Sequence, residues 1–312
     1  MNPRLLLAPT LLVPTGVVAA GRFRRRRRTV AASVSHRRDR RASTGTCRLS
    51  VVLPAYGEEQ IGAAVERVRR ELHDVAADGG LEVIVVDDGS NERHAALADA
   101  SGADRVIHHE VNRGKGAAVR TGALVATGRV IAFTDSDLSY APGQIRSLLL
   151  EAEQGWDVVV GSRDHSDSAT LVETSTLRAL GHRAVNLATR SVLVVPRSDT
   201  QCGIKAFRAE AARALFSRAR IERFAFDIEL FFLAERIGLA VREMPVVVAN
   251  SERSTVHVVR DTVRLAKDLA RIRWWARRRR YDVPAPVALP PAAREPLELD
   301  LRDEAPILAP AS

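Results

Sequence analysis

The sequence predicts an α/β layer sandwich with a mostly parallel central sheet. Two observations carry this. Short apolar runs of strand length alternate with segments whose apolar residues recur at helical spacing, and the polar signatures fall where the apolar runs end. Ligands in open parallel sheets bind beyond the carboxyl ends of the strands, so the second observation also points to the site.

"LSVVLP", beginning at Leu49, reads as a short buried strand, after which Ile61, Val65, Val68, Leu72 and Val75 mark one face of a helix. "DGG" at 78–80 supplies the stop. "LEVIVV" at 81–86 is an apolar run of the kind a strand buried on both faces of a parallel sheet shows. A short helix around 95–100, the strand "RVIHH", a helix from Gly116 and the strand "VIAF" at 130–133 continue the alternation, and "WDVVVGS" adds another strand. After Ser162 the pattern turns mostly helical, over 171–194, 210–216 and 226–237, followed by the strand "LAVREMPVVVA". Residues 260–280 form a basic amphipathic helix ending "RIRWWARRRR". The remainder carries seven of the 14 prolines and a net negative charge, a composition that predicts disorder.

The 312 residues are 46% hydrophobic, enough for a sizeable core. The net charge of +9 does not point to nucleic acid, because it is localised. Residues 1–46 hold 11 basic residues against one acidic; the rest balance 36 against 37. Two cysteines, Cys47 and Cys202, suggest neither a disulfide framework nor a zinc site. Residues 5–20 are apolar and uncharged and precede "GRFRRRRR". Sixteen residues fall short of the roughly 20 that span a bilayer. A membrane anchor, a mis-assigned start and a disordered basic arm all remain open, and basic residues after an apolar stretch favour keeping the domain beyond them in the cytoplasm. The predicted organisation is an apolar and basic arm at 1–46, a catalytic domain at 47–256, a basic helix at 257–280 and a tail at 281–312.

"FTDSDLS" places Asp135 and Asp137 two residues apart after a strand. On an extended segment i and i+2 point the same way, so the pair could hold one Mg2+ or Mn2+ between hard oxygen ligands. An isolated D-x-D also fits a polar turn, and its surroundings must decide. "LPAYGEE" and "DDGS" end two other strands. Asp87 there could accept hydrogen bonds from a nucleobase or ribose, or cap the next helix. "NRGKGAAVRTG" opens a helix with free amides that attract phosphate, with Lys115 as a point charge. It is not a Walker A loop, and no G-x-G-x-x-G comes after the first strand. The eight histidines lack metal-ligand spacing and read as surface or strand-end residues, and Cys202 reads as packing.

The ordered blocks "VVLPAYGEE", "VIVVDDGS", "NRGKGAAVRTG", "FTDSDLS", "VVVGSR", "DTQCGIKAFR" and "FAFDIELFFLA" resemble the family 2 glycosyltransferases of GT-A fold over residues 49–273. Within them the chain is most similar to polyprenyl-phosphate (dolichyl-phosphate) sugar transferases, and "DTQCGIK" leans to the glucosyl branch. The resemblance implies that Pro54, Tyr56, Glu58 and Asp87 line the nucleoside pocket, with Asp88 in support. It puts Lys115 and Arg120 near the donor and makes Asp135 and Asp137 the ligands of the divalent ion. Arg163, Gln201 and Lys205 would face the sugar or acceptor phosphate, and Asp227 would lie near the acceptor. Asp137, Asp227, Arg163 and Lys205 are thus its catalytic candidates.

The family's Gly-Ser-Lys before the last helix reads Arg253-Ser254-Thr255 here, and a processive synthase's Q-x-x-R-W is broken by Ala270. The implied activity is inverting transfer of glucose from UDP-glucose to a polyprenyl monophosphate at the cytoplasmic face of the membrane. A GDP-mannose donor, a soluble hydroxyl acceptor and a sugar nucleotidyltransferase are the alternatives.

Overall fold

A computed structural model describes residues 45–170, 199–248 and 258–282. Strands β1 (Cys47–Ala55), β2 (Leu81–Asp87), β3 (Arg105–His108) and β4 (Gly128–Phe133) run parallel in the order β3-β2-β1-β4. Crossovers between them contain α1 (Ile61–Glu71), α2 (His73–Ala77), α3 (Glu92–Asp99) and α4 (Lys115–Val125). After α5 (Gln144–Glu153) come β5 (Val158–Ser162) and the two-residue β6 (Ala169–Thr170). β7 (Lys205–Arg208) inserts antiparallel between β4 and β5, and β8 (Val241–Pro245) pairs parallel with β5, completing a seven-stranded sheet. Helices α6 (Ala209–Phe216) and α7 (Phe226–Ile237) lie between β7 and β8. β9 (Val247–Val248) pairs with β6 in a small second sheet, and α8 (Val258–Arg277) comes last.

The alternation that predicted an α/β sandwich is present, and the "LEVIVV" strand shows why it works. Val83 and Val85 join a core with Ile61, Val65 and Val68 of α1 and Ile145, Leu148 and Leu149 of α5. Ile84 and Val86 join the opposite core with Ala118 and Val119 of α4, Leu215 of α6 and Ile228 of α7. A strand covered on both faces has no polar side to alternate with.

The structure departs from the sequence expectation at four places. The predicted alternation lacked α5, although Ile145, Leu148, Leu149 and Ala152 carry the helical period and are all buried. It also lacked β7, whose sequence "KAFR" begins and ends with a charge yet is buried at every position. The predicted strand at 239–249 divides after Pro245, which brings no backbone donor to a ladder, into β8 and β9 of two different sheets. Finally, the basic helix is not separate from the catalytic core. Leu269 and Ile272 of α8 and Tyr281 beyond it belong to the same core as α6 and α7. The predicted helix at 171–194 and the segment 253–255 lie outside the described residues, as do residues 1–44. Among the described residues no helix is long and apolar enough to cross a membrane.

Candidate active site

β1 and β2 end together, because Ala55 pairs with Asp87, and β4 ends three residues earlier, with Phe133 opposite Val52, so that its continuation reaches the same level. This brings "PAYGEE", "DDGS" and "TDSD" to one edge. Pro54 closes β1, Tyr56 stands 62% exposed beyond it, and Glu58 accepts from Ser136 Oγ at 3.4 Å. The β1 and β4 loops therefore touch through Glu58 and Ser136.

Asp87 and Asp88 are both buried. Asp87 does not cap α3; that role belongs to Asn91, whose Oδ1 accepts from His94 N at 3.1 Å. Asp87 instead accepts from Ser90 N at 3.3 Å and lies 3.0 Å from His108 Nδ1. Asp88 accepts from Arg113 N at 3.1 Å and Gly114 N at 2.6 Å, so it fixes the turn into α4.

Part of that turn is already engaged within the fold. Gly114 N is spent on Asp88, and Ala117 N bonds the Gly114 and Glu222 carbonyls. What the helix start contributes is Lys115, whose ammonium forms an ion pair with Asp135. Burial alone would lower the Lys115 pKa, but Asp135 and then Asp227 override it and hold the ammonium above its ordinary value. Arg120, expected beside Lys115, is not brought to this cluster. It sits half-buried farther along α4, with Nε donating to the Phe216 carbonyl at 2.8 Å.

The Asp135–Asp137 pair is not extended, which corrects the geometric premise drawn from the sequence. β4 stops at Phe133, and Leu138 N bonds the Asp135 carbonyl at 3.0 Å in a turn that puts Leu138 at φ 50°. Asp137 is exposed and accepts from Ser139 N at 3.0 Å and Ser139 Oγ at 2.9 Å. Among the described residues no group of three or more His, Cys, Asp or Glu could hold a metal. The donor set still fits Mg2+ or Mn2+, which are commonly held by one or two carboxylates plus substrate phosphates. Asp135 and Asp137 are the residues that would hold it, and Asp135 already binds a cation, the Lys115 ammonium.

Beneath Asp135 lies a second ion pair. Lys205 Nζ donates to Asp227 Oδ1 at 2.7 Å and to the Cys202 carbonyl at 2.6 Å, with the Phe133 ring 5.3 Å away. Lys205 is 1% exposed and Asp227 4%. Burial pushes the Asp227 carboxyl up, against the pull of Lys205 and Lys115. The four groups form a chain of alternating charge, Lys205, Asp227, Lys115 and Asp135, running from the core to the site's edge. Lys205, which the resemblance put on the sugar or acceptor phosphate, is engaged here within the fold. Its ammonium points into the core, where a carboxylate and a carbonyl accept from it.

Arg163 makes a bidentate pair with Asp199, Nε at 2.7 Å and Nη2 at 2.9 Å, and its backbone N–H adds a third bond to the same carboxylate. Burial would lower the guanidinium's pKa, but Asp199 outweighs it and raises it. The resemblance put Arg163 on sugar or phosphate; here it anchors the segment that also carries Gln201, whose N–H bonds Asp199 Oδ1 at 3.0 Å. Cys202 is fully buried, as its packing role requires. A Cβ at Gly203 would collide with the Asp135 carboxylate, so this glycine lets the β7 loop close over the site.

The sequence reading missed Asp199, Gly203 and the pair His108 and His109. The histidines left one signal: they end the strand next to the one that ends in two aspartates.

The Glycosyl transferase family 2 model matches residues 50–216, which include β1 to β7 and both carboxylate turns. The chain is a family 2 glycosyltransferase. It is 30% identical to dolichyl-phosphate beta-glucosyltransferase of Dictyostelium discoideum, over 72% of this chain and 74% of that one. The Homo sapiens protein of the same name is 33% identical, over 73% and 75%. Glucosyl-3-phosphoglycerate synthase from Mycobacterium tuberculosis, crystallised with phosphoglyceric acid, superposes with a TM-score of 0.56 at 25% identity, covering 72% of this chain and 80% of that one. The glycosyltransferase thus has the GT-A architecture, with the antiparallel strand β7 delivering Lys205 to Asp227 and the loop before it setting Gly203 against Asp135.

Proposed function

We propose that this glycosyltransferase moves glucose from UDP-glucose to a polyprenyl monophosphate with inversion. The observation that carries the reading is that dolichyl-phosphate beta-glucosyltransferases align with it over about three quarters of both chains. Asp87, Tyr56 and Pro54 would receive the nucleoside. Asp135 and Asp137 would hold Mg2+ or Mn2+ against the donor's diphosphate, where the ion neutralises charge gathering on the leaving group.

Asp227 supports a phosphate acceptor over a hydroxyl one. A hydroxyl must lose a proton to a base in the transition state, whereas a phosphate monoester, with its second pKa near ~6, is already a dianion at neutral pH. Asp227 is buried and spent on Lys205, so it is poorly placed to act as that base. Its part is to hold Lys205 and, through Lys115, Asp135.

The acceptor's isoprenoid tail requires a membrane surface. α8 offers one outward face for it, with Lys267, Arg271 and Trp274 exposed, and Arg278 and Arg280 stacked 5.4 and 5.0 Å from the Trp274 ring. That face supports a membrane-surface location, and the basic run after the apolar stretch at 5–20 supports the cytoplasmic side.

The test is a panel of labelled UDP- and GDP-sugars supplied with a polyprenyl phosphate. Glucose should reach the lipid from UDP-glucose, cease in EDTA and return with Mg2+ or Mn2+. Asp135→Asn and Asp137→Asn should lose at least about a hundredfold in turnover while remaining folded, a loss of the size that attends removal of a group acting on developing charge. Full turnover in chelator would remove the metal assignment, and transfer from GDP-mannose alone would replace the donor.

A further inference from the structure

β2 and β3 pair with Asp87 opposite His108, so Asp88 and His109, one residue on, turn to the other face. Two consecutive carboxylates thus meet two consecutive imidazoles, one pair on each side of the sheet. His108 Nδ1 lies 3.0 Å from Asp87 Oδ2, and its Nε2 2.9 Å from Asp99 Oδ1 of α3. His109 Nδ1 lies 2.7 Å from Asp88 Oδ1, and its Nε2 2.9 Å from Thr121 Oγ1 of α4.

The two pairs of partners make different demands. An ionised carboxylate only accepts, so His108 can bond Asp87 and Asp99 together only as an imidazolium. A hydroxyl both donates and accepts, so the partners of His109 make no such demand. The charged groups facing His108 are Asp87 from β2 and Asp99 from α3. Their hydrogen bonds, Asp87's first, raise its pKa above the ordinary 6.5 against a smaller cost of burial.

The clamp reaches further than Asp87. Asp87 Oδ1 accepts from Ser90 N, and Ser90 Oγ accepts from Gly57 N at 2.9 Å, in the loop that carries Tyr56 and Glu58. Fixing Asp87 therefore also fixes the loop beside it.

We propose that His108 is a positioning residue for the nucleotide-sugar donor: as an imidazolium it ties Asp87 to α3 in the orientation that receives the nucleoside, and its deprotonation weakens donor binding. This rests on the reading of Asp87 as a nucleoside contact. A neutral ring carries one N–H and must release either Asp87 or Asp99. The effect sits on the donor's affinity, because His108 acts through Asp87 and bonds neither Asp135 nor Asp137.

Calorimetric titration of the full chain with UDP-glucose, and in parallel GDP-mannose, with Mg2+ present, tests it across about pH 6 to 9, the range that spans a raised histidine. Neither sugar nucleotide carries a phosphate monoester that titrates there. The wild-type Kd for the donor should rise about tenfold, the loss of one charged hydrogen bond, as pH climbs through the His108 pKa. His108→Gln, which keeps a donor for Asp87 but cannot titrate, should bind with a flat profile. His108→Ala should bind weakly throughout, and both variants should change donor KM with little change in kcat. In the NMR titration of the imidazoles, Asp87→Asn should bring His108 back toward its ordinary value. A wild-type profile parallel to that of His108→Gln overturns the inference and leaves the donor reading standing. Failure of both nucleotide sugars to bind at any pH overturns both.

Discussion

The Lys205 ammonium donates to Asp227 and the Cys202 carbonyl and lies between the Phe133 and Phe231 rings. Removing one member of such a pair strands the other charge in a low-dielectric core, a cost of about 3–5 kcal/mol. Lys205→Met and Asp227→Asn should each lower the unfolding free energy, measured by urea titration, by that order. The double substitution Lys205→Met with Asp227→Leu should recover most of the loss, since neither charge is then stranded. Activity should fail in all three, because Asp227 also helps to hold Lys115 charged beside Asp135. A single variant with unchanged stability but no turnover would return Lys205 or Asp227 to a direct part in the chemistry.

Two elements meet at Asp135, and each does so through a glycine. Gly114 opens α4 at φ 115°, with the Glu222 carbonyl where a Cβ would go. Gly203, before β7, leaves no room for a methyl against the Asp135 carboxylate. The first position is strained for any other residue, while the second is only crowded. Gly114→Ala should therefore cost stability, of order 1–3 kcal/mol, and displace Lys115. Gly203→Ala should leave the melting temperature nearly unchanged and reduce turnover by moving Asp135. Differential scanning fluorimetry beside a glucosyl-transfer assay separates the two outcomes; equal damage to both properties in both variants would refute the distinction.

α8 is part of the fold and at the same time a surface. Leu269 and Ile272 bury one side, and Tyr281 beyond it donates to Glu229 Oε1 at 2.5 Å. Glu229 also takes the N–H groups of Arg220 and Ile221 at 2.9 and 2.8 Å, so one buried carboxylate fastens the helix end to α7 and its neighbouring loop. The exposed side keeps its basic residues and Trp274. Flotation with anionic vesicles should carry the full chain at low salt and less of it at high salt. Serine at 277–280 removes four charges, each worth about 1 kcal/mol near an anionic leaflet, and vesicle partitioning should fall at least about tenfold. Partitioning unchanged by the substitutions would assign membrane contact to another part of the chain.

The sequence by itself determined the alternation of β1 to β4 with their helices and the edge where the motifs gather, because strand burial and helix periodicity are local patterns that hydrophobicity writes directly into the chain. It also determined the family, because seven blocks of residue types in order carry more information than any one spacing. Among the residues it singled out, Asp88 fixes the turn that carries Lys115, and Lys115 in turn links Asp135 with Asp227. Only the tertiary structure decided what each of them does. Whether Lys205 serves a ligand or the core depends on Asp227, 22 positions away, and whether Arg163 is free for substrate depends on Asp199, 36 positions away. β7 escaped the sequence reading for the same reason. Its Lys205 is tolerable in a buried strand only because Asp227, distant in sequence, neutralises it, and no local period records a partner that folding has yet to supply.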